Sequence, residues 1–419
     1  MALDNGNTLG IVSNSPRARA VRHLLDWTQD GRLSAGSRLP SEARLAAKLN
    51  VSRTTIRLAL ADLEKQGIIS SDKRRRIVLG HVQPQRKFLS DAIALIMDSP
   101  DQFNRNKIHG TWHSNFVHTG AVDAIRAAGY DALTIHPDRI VGDMIQRLIT
   151  ERPRGVIIMR SVLQDKSGDH LAKAFKEGNI PFVLYGDIGL VDSEHDISRE
   201  VDTVRSDHEL GSYALTKWLI GQGRKRILRI WQINGNGPED RQKWLAQRDA
   251  GHERAMKEAG LITLPPIEIY QTPNHATDLD NREQFEMRSR MMAGYLVEHL
   301  AAPQPVDAIM AVNDSLVASI SKALRVYGRE PNKDVLLVGY DNMWDDALDN
   351  SMDPLGPVAT VDKKNLEVGR QLMALLQERI EGKLFESGQQ RIVTPELVIR
   401  PSAFPDSAAK APIIQPIAF

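Results

Sequence analysis

The chain has 419 residues, 42% of them hydrophobic, and a formal net charge of +1. Such a length exceeds one ordinary domain, and the apolar content is enough for more than one core. No apolar run approaches a membrane span, the opening MALDNGNTLG lacks the basic and apolar regions of a signal peptide, and the absence of cysteine excludes a disulfide framework, a thiolate nucleophile and cysteine-ligated zinc.

Residues 1–14 read as a disordered lead. Pro16 opens a helix with Ala20, Val21, Leu24, Leu25 and Trp27 at helical spacing, ended by Gly31. Two short helices follow in LPSEARLAAKLNVSRTTIRLALADLEKQGIIS, Leu39 to Ser70. Ser41 caps the first, with Leu45, Ala46 and Leu49 on one face. Asn50 and Val51 make the turn, and Ser52 caps the second, whose Ile56, Ala59, Leu60 and Leu63 face inward until Gly67. Arg53, Thr54, Thr55 and Arg57 remain outward on its first turns. Arg53 and Arg57 share a face, which suits phosphate contacts and base edges in a major groove, or else a merely solvated helical surface. Two short strands, Ile68-Ile69 and Ile77 to Leu79, then flank SSDKRRR, whose Lys73, Arg74, Arg75 and Arg76 would form a wing tip or only a solvated basic turn. Residues 81–90 show no periodicity and read as a linker.

From Asp91 the texture becomes strand–helix alternation. Expected strands are Ala92–Met97, Ala132–Ile135, Gly155–Met159, Phe182–Tyr185, Ile227–Ile230, Ile267–Tyr270, Ala308–Val312 and Val335–Val338. Expected helices include Ala121–Ala128, Leu171–Glu177, Leu210–Ile220, Gly251–Glu258, Met287–Leu300 and Leu316–Val326. This alternation predicts parallel sheets with crossover helices and ligands at the carboxyl ends of the strands. Charge is divided in the same way: residues 15–90 hold 16 Lys+Arg against 6 Asp+Glu, whereas 91–419 carry a net −8. A basic head on an acidic body is the electrostatic outline of a nucleic-acid binder with a separate sensor.

The run Gly36 to Glu42 and the intact Val51 to Leu60 (VSRTTIRLAL) resemble the winged helix-turn-helix of GntR-type transcription regulators. That resemblance implies DNA contacts from Ser52, Arg53, Thr54, Thr55 and Arg57. Such domains often carry an arginine directly after the Ser-Glu pair. Here that position is Ala43, with Arg44 one residue on, and the wing has no glycine between Gly67 and Gly80, so Arg44, Lys73, Arg74 and Arg75 are expected to bind through side-chain charge. Farther on, Asp307 to Asn342, the run Arg248 to Met256, Asp207 to Ile220 and Thr394 to Ser402 resemble, in the right order, the effector domain of LacI/GalR-type repressors. The resemblance implies a multidomain fold: a winged helix-turn-helix (α+β) followed by a two-lobed, periplasmic-binding-protein-like α/β domain with parallel sheets, similar in build to arabinose-type repressors. Expected bounds are 15–80 for the head and 91–405 for the effector domain. Lobe 1 would take about 91–204 and 358–390, lobe 2 about 205–357 and 391–405, and 406–419 would be a tail outside the resemblance.

Polyol recognition needs planar groups that each grip two hydroxyls, together with an aromatic face. Arg248, Asn313 and Asp341 supply a donor fork, an amide and a carboxylate at expected strand ends or helix starts, and the family places effector contacts at all three. Taken singly they also read as a surface salt bridge, a helix cap and a turn former. Trp112, Asn115 and Phe116, and more weakly Trp231 and Trp344, are candidates for stacking. Asp187 stands beside Gly186 where many relatives have a sugar-binding aspartate. His109, His113 and His118 lie in an expected loop without a carboxylate pair, NGNGPED lacks the third glycine of a dinucleotide loop, and no hydrolase or Walker motif occurs. No cofactor or metal is expected. The expectation is a cytoplasmic, homodimeric repressor binding near-palindromic double-stranded operator DNA and a mono- or oligosaccharide effector, without membrane contact. The competing readings are a GntR-type head on a pyridoxal-phosphate enzyme body, for which no Schiff-base lysine constellation is found, and a sugar receptor without regulation.

Overall fold

The structure is a computed structural model that describes residues 16–29, 33, 36–65, 67–72, 75–79, 89–96, 112–135, 143–159, 167–186, 200–233, 237, 241–270, 281–346, 348–384, 388–404 and 411–417. The chain divides into two compact units, Met1–Phe88 and Leu89–Phe419. The expected lead at 1–14, Lys73 and Arg74 of the wing tip, linker residues 81–88 and Asp187 lie outside the described residues.

In the first unit, α1 (Pro16–Gln29), α2 (Glu42–Leu49) and α3 (Arg53–Lys65) precede a hairpin of β1 (Ile69–Asp72) and β2 (Arg75–Val78). The caps follow from the residue types at the ends. The Ser41 hydroxyl accepts from Arg44 N at 3.3 Å, and Asn50 adopts a left-handed φ of 51° that closes α2. Ser52 Oγ accepts from Thr55 N at 3.0 Å and opens α3, while Gly67, at φ 70°, lets the chain leave α3. Leu24, Trp27, Leu45, Ile56, Leu60, Leu63, Ile69 and Val78 close one small core. Residues 36–39 run along β2, with Gly36 N donating to Val78 O and Leu39 N to Arg76 O. This third edge ties the segment before α2 to the wing.

The second unit runs in chain order through β3 (Ala92–Ile96), α4 (Trp112–Ala127), β4 (Asp131–Ile135), α5 (Asp143–Glu151), β5 (Gly155–Ile158), α6 (Ser167–Glu177), β6 (Phe182–Tyr185), β7 (Thr203–Ser206), α7 (His208–Gly221), β8 (Ile227–Ile233), α8 (Lys243–Glu258), β9 (Ile267–Tyr270) and α9 (Asn281–Ala301). It continues with β10 (Ala308–Ala311), α10 (Val317–Val326), β11 (Leu336–Tyr340), β12 (Ala359–Asp362), α11 (Asn365–Ile380), β13 (Gln390–Val393), β14 (Glu396–Ile399) and β15 (Ile413–Pro416). Two sheets result: a parallel six-stranded sheet ordered β13-β7-β6-β5-β3-β4, and a seven-stranded sheet ordered β15-β14-β12-β11-β10-β8-β9. The second is parallel from β9 to β12 and antiparallel at β14 and β15. Central strands such as β3, β5 and β11 are buried throughout, as parallel strands covered on both faces must be.

The chain crosses between the sheets after β7, after β12 and after β13. Strand β12 therefore belongs to the second lobe and β13 to the first, so the returns fall a few residues later than the expected 358 and 391. Residues 413–416, expected in a tail, add an edge strand to β14 in register Ile399↔Ile413. Helix α4 begins at Trp112 rather than in the region of Ala121, so Asn115, Phe116 and His118 are helical. Its buried stripe of Val117, Ala121 and Ile125 at i, i+4, i+8 continues a pattern that the polar start WHSN conceals. Helices α4 and α11 cross backbone to backbone. A Cβ on Gly120 would lie 2.0 Å from Leu366 O, and one on Gly369 would lie 2.1 Å from Val117 O. Where α7 meets α8, buried His252 Nδ1 lies 3.0 Å from Thr216 Oγ1, and burial lowers its pKa to about 3.

Candidate functional site

On the head, α3 presents Arg53, Thr54 and Arg57 as exposed side chains. Ser52 and Thr55 are less free, because their hydroxyl oxygens lie 2.8 Å apart while Ser52 also caps the helix. Arg44 is exposed on α2. Glu42, at the first position of α2, accepts from Arg76 Nη1 at 2.8 Å and, more loosely, from Arg57 Nη2 at 3.3 Å. The hydrogen bond from Arg76, followed by those and the charge of Arg57, holds the Glu42 carboxyl below its usual range. Arg76 is thereby a strut between α2 and β2, not the tip contact expected from the run Lys73 to Arg76. At the hairpin end Arg75 pairs with Asp72 through the backbone register.

In the second unit the polar candidates converge on adjacent strand ends. Asn313 follows β10, Asp341 follows β11, and these strands are parallel neighbours. Arg248 comes from α8 and is 1% exposed. Its Nη1 donates to Val312 O at 2.7 Å, the carbonyl just before Asn313, and its Cζ lies 3.5 Å from the ring centroid of Tyr340, the residue just before Asp341. Trp244, one turn earlier on α8, covers the guanidinium from 4.5 Å. Burial pulls the Arg248 pKa down, opposed by Tyr340 and Asp341. The three residues named from the sequence thus form one group. Arg248 is not a surface salt bridge, and Asn313 makes no cap bond to the following turn; its Oδ1 accepts from Ser315 Oγ at 2.7 Å.

Asp341 has a φ of 86°, a left-handed conformation that costs a non-glycine residue of order 1–3 kcal/mol. Its N–H donates to Val361 O at 2.8 Å, which pins the turn against β12. Its carboxylate is 4% exposed and lies 2.7 Å from Lys363 Nζ. Lys363 follows β12 directly, so three neighbouring strands are each followed within two positions by a polar residue, Asn313, Asp341 and Lys363. The sequence reading missed Lys363. Its signal was positional: one residue beyond a strand that the reading had not assigned. Beneath them Asp314 is fully buried, accepting from Thr360 Oγ1 at 2.7 Å and Met343 N at 2.9 Å, and burial pushes its carboxyl up to about 7.

The aromatic candidates divide. Trp231 is core, its Nε1 donating to Asp249 Oδ1 at 2.9 Å, and Trp344 is 5% exposed in the same cluster. Phe116 is 39% exposed on α4, and Trp112 opens that helix. The aromatic faces seen against Arg248 belong to Tyr340 and Trp244, neither singled out beforehand. His118 Nε2 lies 3.1 Å from Thr134 Oγ1, and burial lowers its pKa. Among the described residues no group of three or more His, Cys, Asp or Glu is placed to hold a metal, and no helix is long and apolar enough to cross a membrane.

Residues 16–79 match the model of the bacterial regulatory proteins of the gntR family, and residues 216–403 match that of a periplasmic binding protein-like domain. The head is a GntR-type helix-turn-helix domain and the body is periplasmic-binding-protein-like. Over 390 residues the chain is 21% identical to the arabinose metabolism transcriptional repressor of Geobacillus stearothermophilus, covering 91% of this chain and 95% of that one. It is 24% identical over 374 residues to the HTH-type transcriptional repressor CytR of Escherichia coli, covering 85% and 94%. A solved transcriptional regulator, CelR in complex with cellobiose, superposes with a TM-score of 0.54 at 19% identity, covering 86% of this chain and 99% of that one. These relatives are transcriptional regulators, not enzymes.

Proposed function

We propose that this protein is a DNA-binding transcriptional repressor whose operator affinity is controlled by a small-molecule effector bound at the strand ends of the body. The carrying observation is the pairing of two features: exposed Arg53, Thr54 and Arg57 on the first turns of α3, and the Arg248–Asn313–Asp341 group on the body. Residues 15–80 are the DNA-binding unit and 91–405 the effector-binding unit. Arg44, Ser52, Arg53, Thr54, Thr55, Arg57, Lys73, Arg74 and Arg75 make the DNA contacts, with Arg53 and Arg57 carrying most of the grip. Two copies read half-sites of a near-palindromic operator in the cytoplasm.

The effector is a polyol, most simply a mono- or oligosaccharide. A forked donor, an amide and a carboxylate held on adjacent strand ends match vicinal hydroxyls, and the CelR neighbour is described with cellobiose. Trp112, Phe116 and Asp187 are assigned to the effector side on the strength of the sequence reading alone. Ligand and operator act on one two-state equilibrium, so their coupling is reciprocal.

The test of the output is a gel shift on a genomic fragment selected by the wild-type chain. Arg53→Ala with Arg57→Ala is expected to abolish the shift while leaving the thermal stability of the body unchanged. An unaltered shift would refute the assignment of α3 as the recognition helix.

A further inference from the structure

The strand-end group holds two cations and one carboxylate. Lys363, 8% exposed, places Nζ 2.7 Å from Asp341 Oδ1, so the acid of this group is already matched. Arg248 is buried just as deeply, yet the bond that fixes its guanidinium goes to a neutral carbonyl, Val312 O, and its Nε has no hydrogen-bond partner among the described residues. Stacking on Tyr340 and Trp244 orients the guanidinium without neutralising it.

The other described carboxylates nearby are engaged elsewhere. Asp249 accepts from Arg229, Arg241 and Trp231 Nε1. Asp314 accepts from Thr360 and Met343, Asp362 from Asn342 Nδ2 and Lys364 N, and Asp207 caps α7 at Leu210 N. A buried cation without a paired anion is costly, and one planar fork with an open donor edge is the geometry that grips carboxylate or phosphate oxygens.

We propose that the effector is a polyol bearing a carboxylate or phosphate, read by Arg248 together with Lys363. This rests on the effector-controlled reading above and narrows its ligand class. The anion bonds the open edge of Arg248 and shares Lys363 with Asp341, while Asn313 takes a hydroxyl. Lys363 is the residue that sets this charge preference. Without it, Asp341 is released to pair with Arg248, and the group becomes neutral.

The experiment titrates the full chain, by thermal shift and calorimetry, with D-galacturonate, D-gluconate and D-glucose 6-phosphate against D-galactose, D-glucose and cellobiose. At least one anionic member is expected to raise the melting temperature while its neutral counterpart does not. The uronate and aldonate arms against the sugar phosphate arm tell a carboxylate from a phosphate source. In Lys363→Met the affinity for that anion should fall by about 30-fold or more, the loss typical of removing one member of a buried charged set. Neutral sugars binding as tightly as anionic ones overturn the charge assignment and leave the effector-controlled reading standing. Silence from both classes overturns the two together. Should Lys363→Met fail to fold, the wild-type comparison decides alone, and Lys363→Gln repeats the variant arm.

Discussion

Asp314 and His252 show how two buried residues shape the body's response to pH. The Asp314 carboxyl is pushed up to about 7, so the stability it contributes is full below the unfolded value near 3.8 and is lost as pH rises through 7. His252 is pulled down to about 3, so its contribution is full above the unfolded value near 6.5 and is lost as pH falls toward 3. The two slopes oppose each other over almost the same window and largely cancel in the wild type. Asp314→Asn should therefore unfold at a temperature that climbs from pH 4 to 6.5, and His252→Gln at one that drops across that range. Parallel profiles for the two variants, measured by scanning calorimetry, would show that neither group is shifted in the folded state. At the same scale Glu42 is a positioning residue. Its carboxylate ties Arg76 and, loosely, Arg57 to α2, and a phosphate reaching Arg57 competes with a 3.3 Å contact on a side chain that is 67% exposed.

Among the elements, α4 and α11 depend on mutual glycines. With Val117 O 2.1 Å from an added Cβ at Gly369, the obstructing atoms are backbone and cannot rotate away. Gly369→Ala should lower the stability of the body by roughly 1–3 kcal/mol, the range for overpacking, and denaturant unfolding would read it; an unchanged midpoint would mean that the helices can separate freely. The crossing also marks the limit of what periodicity conveys. The head was legible almost residue by residue, because Ser41, Asn50, Ser52 and Gly67 act locally, as caps and stops. Most of the parallel strands were legible too, since runs such as AIALI and GVII are apolar throughout. Strands β12 and β13 were not, because four-residue segments such as ATVD and QRIV carry too few positions to show a period, and only pairing across the sheet defines them. Missing β12 hid Lys363. Arg248, Asn313 and Asp341 were named through the ordered resemblance to LacI/GalR-type effector domains, whereas the stacking of Arg248 on Tyr340 depends on tertiary packing that spacing does not encode.

For the whole molecule, charge separates the two functions. Residues 15–90 carry +10 and 91–419 carry −8, so attraction to phosphate is concentrated on the head while the body repels it. Operator affinity should fall steeply with salt, with a slope of about −0.9 per phosphate neutralised. Arg53→Ala should reduce that slope, and a flat dependence would count against phosphate binding. The body contributes only if its ligand favours one of two states that differ in operator affinity. The most direct measurement is the affinity of the full chain for its selected operator, by fluorescence anisotropy, with and without the polyol that raises its melting temperature. The account predicts a change of about fivefold or more, within the usual range of allosteric coupling, that disappears in Asp341→Ala; a ligand that binds the body while operator affinity stays the same would contradict it.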